Sequence, residues 1–319
     1  MQRRLALHAL GWAALVAMLP STGGCSATAS GRHWQSVLLR EHPLTGKIWD
    51  VGAQRFITRE SLAESLRRAY FRLLGEVHDN PDHHLIQAEL LNVIGSAGLR
   101  PMVAFEQFDR EYDAALHLLQ AAAIPSADDV AVAVKFDRRG WTWEFYRPLI
   151  EMALRYGMPL RAANLSRAAA GQIVKEFTVP GRRQNATDAP WSAEKEHALR
   201  AVIVEGHCGA LPDSVVPAMT AAQRARDTSL AEVLLEAGSD GAVLLTGNGH
   251  VRRDIAVPVY LRAAASARSI CAIGILEVEA GSNEPQSYAM SGAGVPPFDF
   301  VCFTPRRERP DPCATFKSG

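Results

Sequence analysis

Two histidines of this 319-residue chain follow the same spacing, Gly-x-x-His, and each closes a short apolar run. The first run, residues 73–78, ends at His78, and the second, residues 244–250, ends at His250. An apolar run of this length, bounded by turn residues, is typical of a strand buried on both faces of a parallel sheet. Ligands of open α/β sheets bind beyond the carboxyl ends of the strands. Both imidazoles are therefore predicted to lie where such a sheet carries out its chemistry.

Polar side chains close the other predicted strands as well. Glu76 lies two residues before His78, so the two side chains point the same way on an extended backbone. Glu106 and Asn164 follow two further strand-like runs, and parallel strands bring such ends to one edge of a sheet, here called the rim. Two imidazoles beside carboxylates suit a divalent metal with an open coordination position, or acid–base chemistry near neutral pH. The alternative is that His78 and His250 only cap strand ends by bonding backbone carbonyls.

The metal hypothesis assigns ligands and catalytic groups to the same residues. A metal-dependent hydrolase of this kind would hold manganese, zinc or cobalt on His78 and His250, with Glu76 and Glu106 as further ligand and base. The sequence contains no Cys-x-x-Cys pair, so a thiolate zinc site has no support.

Charged and aromatic residues near the predicted rim admit two interpretations each. His83 and His84 fall in the first turn of the helix after His78, and they are predicted to be solvated because a helix N-terminus disfavours added positive charge. Tyr112 and Tyr146 are candidate ligands of a haem iron, since tyrosinate can take that role. Four arginines either pair an anionic ligand, such as a propionate or a phosphate, or form surface salt bridges: Arg110, Arg138, Arg139 and Arg147. An aromatic group is predicted to be core rather than a stacking platform: Trp141, Trp143, Phe145 and Tyr146.

Apolar runs alternate with helical patterns along the chain, which predicts an α/β fold. Asn80 followed by Pro81 is a strong helix start. The expected architecture is a mostly parallel central sheet of about four to six strands flanked by helices, with a helical insertion that caps the sheet and a small hairpin over Gly52. Strands are predicted at residues 71–76, 101–105, 158–164, 242–246 and 269–278, with an edge strand at 298–303.

The first 25 residues are predicted to be a signal peptide. A basic pair precedes an apolar stretch, residues 5–19, that is too short to span a bilayer. Small residues then lead to Cys25, as in bacterial lipoprotein signals, and an ordinary secretory cleavage site at residues 27–29 is the alternative. Export to the bacterial cell envelope follows from either, and a lipid on Cys25 is the candidate membrane anchor.

Three parts are predicted after the signal. They are a tether and N-terminal extension at residues 26–57, an α/β domain at 58–304 with its helical insertion at about 165–217, and a C-terminal tail at 305–319. Export permits disulfides, and Cys302 and Cys313 bracket a polar, proline-rich loop, so a bridge between them would staple the tail. Basic and acidic residues balance, 34 against 34, so a role in binding nucleic acid is not expected.

Several motifs together resemble the ChaN family of haem-binding lipoproteins. That family belongs to a superfamily with the Tiki metalloproteases, the TraB proteins and the erythromycin esterases, marked by two Gly-x-x-His motifs and a glutamate pair on an α/β core. The matching positions here are Gly75 with His78, Gly247 with His250, and Glu76 with Glu106. The resemblance covers roughly residues 71–261, and it is carried by residues 73–84 with Gln87, 103–110, 141–148, 163–164, 222–227 and 245–251.

The resemblance implies a cell-envelope lipoprotein that binds haem and serves haem and iron uptake. The haem would lie in an apolar pocket over the rim, with a homodimer as one candidate arrangement. The alternative remains the metal-dependent hydrolase, protease-like or esterase-like, because related branches use the same His and Glu positions. No motif fixes the axial ligand of the iron. The residues expected at the haem site are Gly75, His78, His83, Gln107, Tyr112, Tyr146, Asn164, Gly247, Asn248, Gly249 and His250.

Overall fold

A single β-sheet organises the chain from Trp34 onward. The computed structural model describes residues 33–122, 124–177, 191–290, 294–311 and 313–314. The predicted signal peptide and Cys25 lie outside these ranges. Within them the sheet has eight strands in the order β2-β1-β8-β7-β3-β6-β4-β5. The strands are β1 (Ile48–Asp50), β2 (Arg55–Ile57), β3 (Phe71–Leu74), β4 (Met102–Asp109), β5 (Leu160–Asn164), β6 (Ala242–Leu245), β7 (Ile270–Glu277) and β8 (Phe300–Thr304).

The six strands from β8 to β5 run parallel, which confirms the predicted fold class. The central strands β3 and β6 are buried at every position, as their continuous apolar sequences require. Successive residues point to opposite faces, so Leu74 and Leu245 pack on one side and Leu73 and Leu244 on the other.

Helices cover both faces of the sheet. The helices α2 and α5 pack together on the first face, and α8 and α9 pack together on the second. Asn80 caps α2 as predicted, because its side chain accepts a hydrogen bond from the amide of Asp82 and Pro81 opens the helix. The described helices are α1 (Arg59–Arg68), α2 (Pro81–Ser96), α3 (Asp113–Ala122), α4 (Ala127–Ala133), α5 (Trp143–Arg155), α6 (Arg167–Phe177), α7 (Ala193–Gly206), α8 (Val216–Leu235) and α9 (Val257–Ala264). None of the helices in the described ranges is long and apolar enough to cross a membrane.

The predicted helical insertion contains α6 and α7, and both pack against α8. Leu199 and Ile203 of α7 form a small apolar cluster with Ile255, which lies after β6. Because α8 comes directly before β6 and runs opposite to it, the N-terminal half of α8 lies near the rim. The insertion packs against α8 there.

The sheet extends beyond the predicted domain boundary at residue 58. The predicted hairpin is present as β1 and β2, and β1 pairs antiparallel with β8. Residues 48–57, predicted as part of a tether and extension, therefore belong to the sheet. The strand predicted at an edge, β8, lies between β7 and β1, so that prediction is wrong.

The predicted bridge between Cys302 and Cys313 is also wrong. Cys302 lies inside β8 with a side chain that is buried in the core, and it takes part in no disulfide within the described part of the chain. The tail leaves the sheet after β8 and brings Cys313 to Cys208, just after α7, and these two cysteines form a disulfide.

Candidate functional site

The first Gly-x-x-His motif begins where β3 leaves the sheet. Gly75 is required there because a Cβ would lie 2.2 Å from Oδ1 of Asn248. Asn248 in turn joins three strands: its amide donates to the carbonyl of Glu76, and its side chain pairs with both backbone groups of Ile275. Gly75 and Asn248, both predicted at the haem site, thus hold the strand ends in register.

Glu76 is the centre of a buried hydrogen-bond network. Its Oε1 lies 2.8 Å from Nδ1 of His78, and it accepts hydrogen bonds from the hydroxyl of Tyr146 at 2.6 Å and from Nε2 of Gln107 at 3.3 Å. Its Oε2 lies 3.3 Å from Nδ1 of His84. Burial alone would raise the pKa of Glu76, but the imidazoles of His84 and His78 hold it below its usual value.

His78 is held by this network and remains partly open to solvent. Burial works against its charged form, but Glu76 and Glu106 raise the pKa of His78 to about 9. Its side chain is 44% exposed, against 0% for Glu76 and 8% for His250. Trp141 meets it edge-on, with ring centroids 4.8 Å apart.

His250 of the second motif lies in a buried row of three ionisable groups, between Asp227 of α8 and Glu106 of β4. Nδ1 of His250 lies 2.6 Å from Oδ1 of Asp227, and its Nε2 lies 3.5 Å from Oε1 of Glu106. The other oxygen of Glu106 accepts hydrogen bonds from the hydroxyl of Thr246 and the amide of Gly247. Despite burial, Glu106 and Asp227 raise the pKa of His250 to about 10, and the imidazoles hold the pKa of Glu106 well below its usual range.

The two motifs meet at Gly247. A Cβ built on Gly247 would lie 2.8 Å from Cε1 and 2.9 Å from Nε2 of His78, so only glycine leaves room for this ring. A Cβ built on Gly249, which is also predicted at the site, would have no atom within 4 Å. Gly247 of the second motif therefore leaves the space that the ring of His78 in the first motif occupies.

The structure brings together Glu76, His78, Glu106 and His250, the four residues that the sequence placed at one rim. Asn164 also lies there, where its side chain accepts a hydrogen bond from Nη1 of Arg226.

The two predicted tyrosines differ in access. Tyr146 is fully buried and its hydroxyl is used by Glu76; burial and that carboxylate raise its pKa far above the ordinary value. Tyr112, after β4, is partly buried, and the ammonium of Lys135 lies 4.9 Å from its ring centre. Among these two, Tyr112 is the more accessible to a ligand.

The prediction that His83 and His84 are solvated is wrong. Nδ1 of His83 accepts a hydrogen bond from the amide of Val77, and its Nε2 pairs with the hydroxyl of Thr304 on β8. This leaves His83 no nitrogen for a ligand. His84 donates through Nε2 to the carbonyl of His78 and stacks on Phe145. The first turn of α2 is covered by the rim and by β8, so burial replaces solvation; burial also holds the pKa of His83 well below 6.5.

Helix α8 supplies three residues that the predicted site lacked. Asp227 bonds His250, Nε2 of Gln223 lies 3.4 Å from both ring nitrogens of His250, and Arg226 reaches Asn164. Positions 223, 226 and 227 share one helical face, but the sequence does not show that this face meets the rim.

Three of the four arginines proposed to pair with an anion form exposed ion pairs instead. Arg110 pairs with Glu232, Arg138 with Asp128, and Arg147 with Glu151. Arg139 is exposed. The surface interpretation therefore fits the first three, and Arg226 is the arginine that the structure places at the rim.

A metal site finds no geometric support in the described residues. No three His, Cys, Asp or Glu side chains there converge in an arrangement that could hold a metal ion. The two imidazoles are instead each paired with a carboxylate.

Comparisons with known proteins identify the family. A family profile described as haem-binding uptake, Tiki superfamily, ChaN matches residues 62–261, which is more than half of the chain. The chain belongs to the ChaN family. The match spans both Gly-x-x-His motifs and all four rim residues. A search of curated proteins finds no match.

A solved structure of a ChaN protein shows the same fold. The ChaN of Campylobacter jejuni, which binds haem cofacially, is similar over 80% of this chain and 95% of its own, with 21% identity and a TM-score of 0.65. An effector domain of a MARTX toxin from Vibrio vulnificus is similar over 60% of this chain and 30% of its own, with 14% identity and a TM-score of 0.33. At 21% identity, the similarity to the Campylobacter jejuni ChaN shows the fold alone. The TM-score of 0.33 for the toxin effector domain is too low to support any structural argument.

Proposed function

We propose that this protein binds haem at the rim, beside the two Gly-x-x-His motifs, and serves haem uptake in the bacterial cell envelope. Membership of the ChaN family and the likeness to a haem-binding ChaN support haem as the ligand. The N-terminal sequence supports export, with a lipid on Cys25 as the proposed anchor. A homodimer would be one way to cover the second face of the haem.

The observation that carries the proposal is the state of His78. Nδ1 is fixed by Glu76, as in metal-binding histidines whose second nitrogen is held by a carboxylate. Nε2 has no hydrogen-bond partner in the described part of the chain, and the side chain is the most exposed of the four rim residues. Haem iron accepts neutral imidazole or tyrosinate, so His78, once its Nε2 has lost its proton, and Tyr112 are the accessible donors that fit it.

The surroundings of His78 also suit haem. The ring of Trp141 offers apolar surface beside the imidazole, and Arg226, which is bonded to Asn164 at the rim, supplies a guanidinium for a propionate. Haem would supply the iron chemistry; the protein would bind and orient it, and the buried carboxylates would fix the imidazole.

A haemin titration followed by absorbance tests the proposal. The mature domain is expected to give a saturable shift of the haem band. His78→Ala should weaken binding at least tenfold, and Tyr112→Phe measures whether the phenol takes the iron instead. His117→Ala is the matched control, because His117 is a histidine 57% exposed on α3 that pairs with Asp113 and with none of the four rim residues. A flat titration of the unmodified protein would overturn the proposal.

A second candidate function, acid–base hydrolysis, is favoured by one observation. Asp227, His250 and Glu106 form a buried row in which an imidazole lies between two carboxylates. The predicted divalent metal is not part of this candidate. A screen of ester and peptide substrates, comparing the unmodified protein with Glu106→Gln in the presence of a chelator, tests it. Turnover that Glu106→Gln abolishes would support the hydrolase, and no turnover would leave haem binding as the function.

A further inference from the structure

The tail after β8 turns back to the rim and is clamped there by Arg309. This guanidinium donates to both oxygens of Asp79, each at 2.8 Å, and to both oxygens of Glu277, at 2.7 and 2.6 Å. Asp79 directly follows His78, and Glu277 ends β7. Paired, bidentate bonds of this kind fix orientation as well as distance.

Other tail atoms hold the same turn. Arg307 donates through its side chain to the carbonyl of Asp79, and its amide donates to Glu277 at 3.0 Å. The side-chain amide of Asn80 donates to Glu277 at 2.7 Å and to the carbonyl of Pro305 at 3.1 Å. The residues after His78 are thus bonded to the tail through side chains and backbone alike.

A disulfide connects this tail to the helical insertion. Cys313 is bonded to Cys208, which lies just after α7, and their Cα atoms are 5.6 Å apart. Cys208 adopts a left-handed backbone conformation, with φ of 59°, which a residue with a side chain rarely takes. Both cysteines are partly exposed, so a thiol reagent can reach the bond. The tail therefore has two anchors, one at the turn after His78 and one on the insertion above the rim.

We propose that the C-terminal tail is a strap in which Arg309 positions the turn carrying His78 and the Cys208–Cys313 bond keeps the strap in place. Reduction of that bond by a dithiol releases one end of the strap: two electrons and two protons pass from the dithiol, which closes to its own disulfide, and two cysteine thiols form. The turn then loses its fixed geometry. Haem affinity is expected to fall when the turn is released, and only this consequence rests on the proposed function; the positioning of the turn does not.

Two backbone amides report whether the turn is held. The amide of Val77 donates to His83 and that of Asn80 donates to the carbonyl of Val77, so both are protected while the turn stays closed. Hydrogen–deuterium exchange of the haem-free full chain at these positions measures opening directly. The samples are the unmodified protein, Arg309→Gln, the double variant Cys208→Ser with Cys313→Ser, and Arg306→Gln as the control. Arg306 is an exposed arginine of the same tail, and the change removes the same charge.

Arg309→Gln is expected to speed exchange at Val77 and Asn80 at least tenfold, and the double cysteine variant several-fold, whereas Arg306→Gln leaves it unchanged. Addition of a dithiol to the unmodified protein should reproduce the double variant. Unchanged exchange in Arg309→Gln and in the double variant would overturn the strap. Haemin titrations of the same samples are read separately. If the unmodified protein binds no haemin, the proposed function fails while the exchange data still decide the strap.

Discussion

The ring of His78 rests against the backbone of Gly247, 169 positions later in the sequence, at a distance that leaves no room for a Cβ. The contact joins the two Gly-x-x-His motifs into one site, since the first motif supplies the imidazole and the second supplies the space for it. The same glycine donates its amide to Glu106, so it also orients a carboxylate near that imidazole.

Gly247→Ala is expected to displace His78. The added methyl would lie under 3 Å from two ring atoms, so the ring must move away from Glu76 or the backbone must shift. We expect a loss of about 1–3 kcal/mol in the free energy of unfolding, as for other overpacked sites, and weaker haemin binding. Urea denaturation and haemin titration measure the two effects. Gly249→Ala is the matched control, because its Cβ would meet nothing within 4 Å; equal losses in both variants would contradict this account.

Asp227→Asn tests the support of His250 from α8. The amide keeps the shape of the side chain but removes the charge that pairs with the buried imidazole at 2.6 Å. The free energy of unfolding should fall by about 1–3 kcal/mol near pH 7, the usual cost of weakening a buried bond to a charged group. Asp128→Asn makes the same change at a side chain that is 60% exposed and pairs with Arg138 at 3.8 Å, and it should change stability by less than about 0.5 kcal/mol.

Stability should fall on the alkaline side because of the rim imidazoles. The pKa of His250 is raised from 6.5 to about 10 in the folded protein. Its stabilising contribution is therefore complete below pH 6.5 and is lost as the pH rises through about 10. His78, with a pKa of about 9, adds in the same direction. At about 1.4 kcal/mol per pKa unit, the loss from the buried His250 is on the order of a few kcal/mol, and His78 adds less because solvent screens its partly exposed ring. Urea midpoints between pH 6 and 10 measure the slope, and His250→Gln should flatten it; an unchanged slope in that variant would assign it to other groups.

Stability should also fall on the acidic side, because acid protonates the rim carboxylates. The pKa of Glu106 is held below its usual 4.5, so its contribution is present above that pH and is lost as the pH falls further. The rim is therefore expected to be most stable between about pH 4.5 and 6.5, a range that the same urea series covers when it is extended to pH 3.

The sequence was sufficient for the parallel sheet and for the four rim residues. Continuous apolar runs predict strands buried on both faces, and the carboxyl ends of parallel strands converge, so His78 and His250 could be placed together without a structure. The spacing of two between Glu76 and His78 likewise predicts their shared direction. These inferences depend on local pattern and on one geometric property of parallel sheets.

The sequence alone could not predict the contacts between segments that are far apart along the chain. The local sequence of His83 favours solvent and cannot show its burial, because its partner Thr304 lies 221 residues away on a strand predicted at an edge. Asp227 was not recognised because nothing local shows that its helix faces the rim. The pairing of Cys313 could not be derived from spacing either, since the nearer cysteine, Cys302, is buried inside the sheet.

The disulfide provides a direct test of this long-range arrangement. Mapping of unreduced peptides should find Cys208 linked to Cys313, with Cys271 and Cys302 as reduced thiols that react with a thiol reagent only after unfolding, because both are buried. The bond closes a loop of 105 residues, and a crosslink of that span stabilises by constraining the unfolded chain. Replacement of both cysteines by serine should therefore lower the free energy of unfolding by about 2–5 kcal/mol, and reduction of the unmodified protein should lower it by a similar amount. A peptide that links Cys302 to Cys313, or a double variant as stable as the oxidised protein, would contradict this assignment.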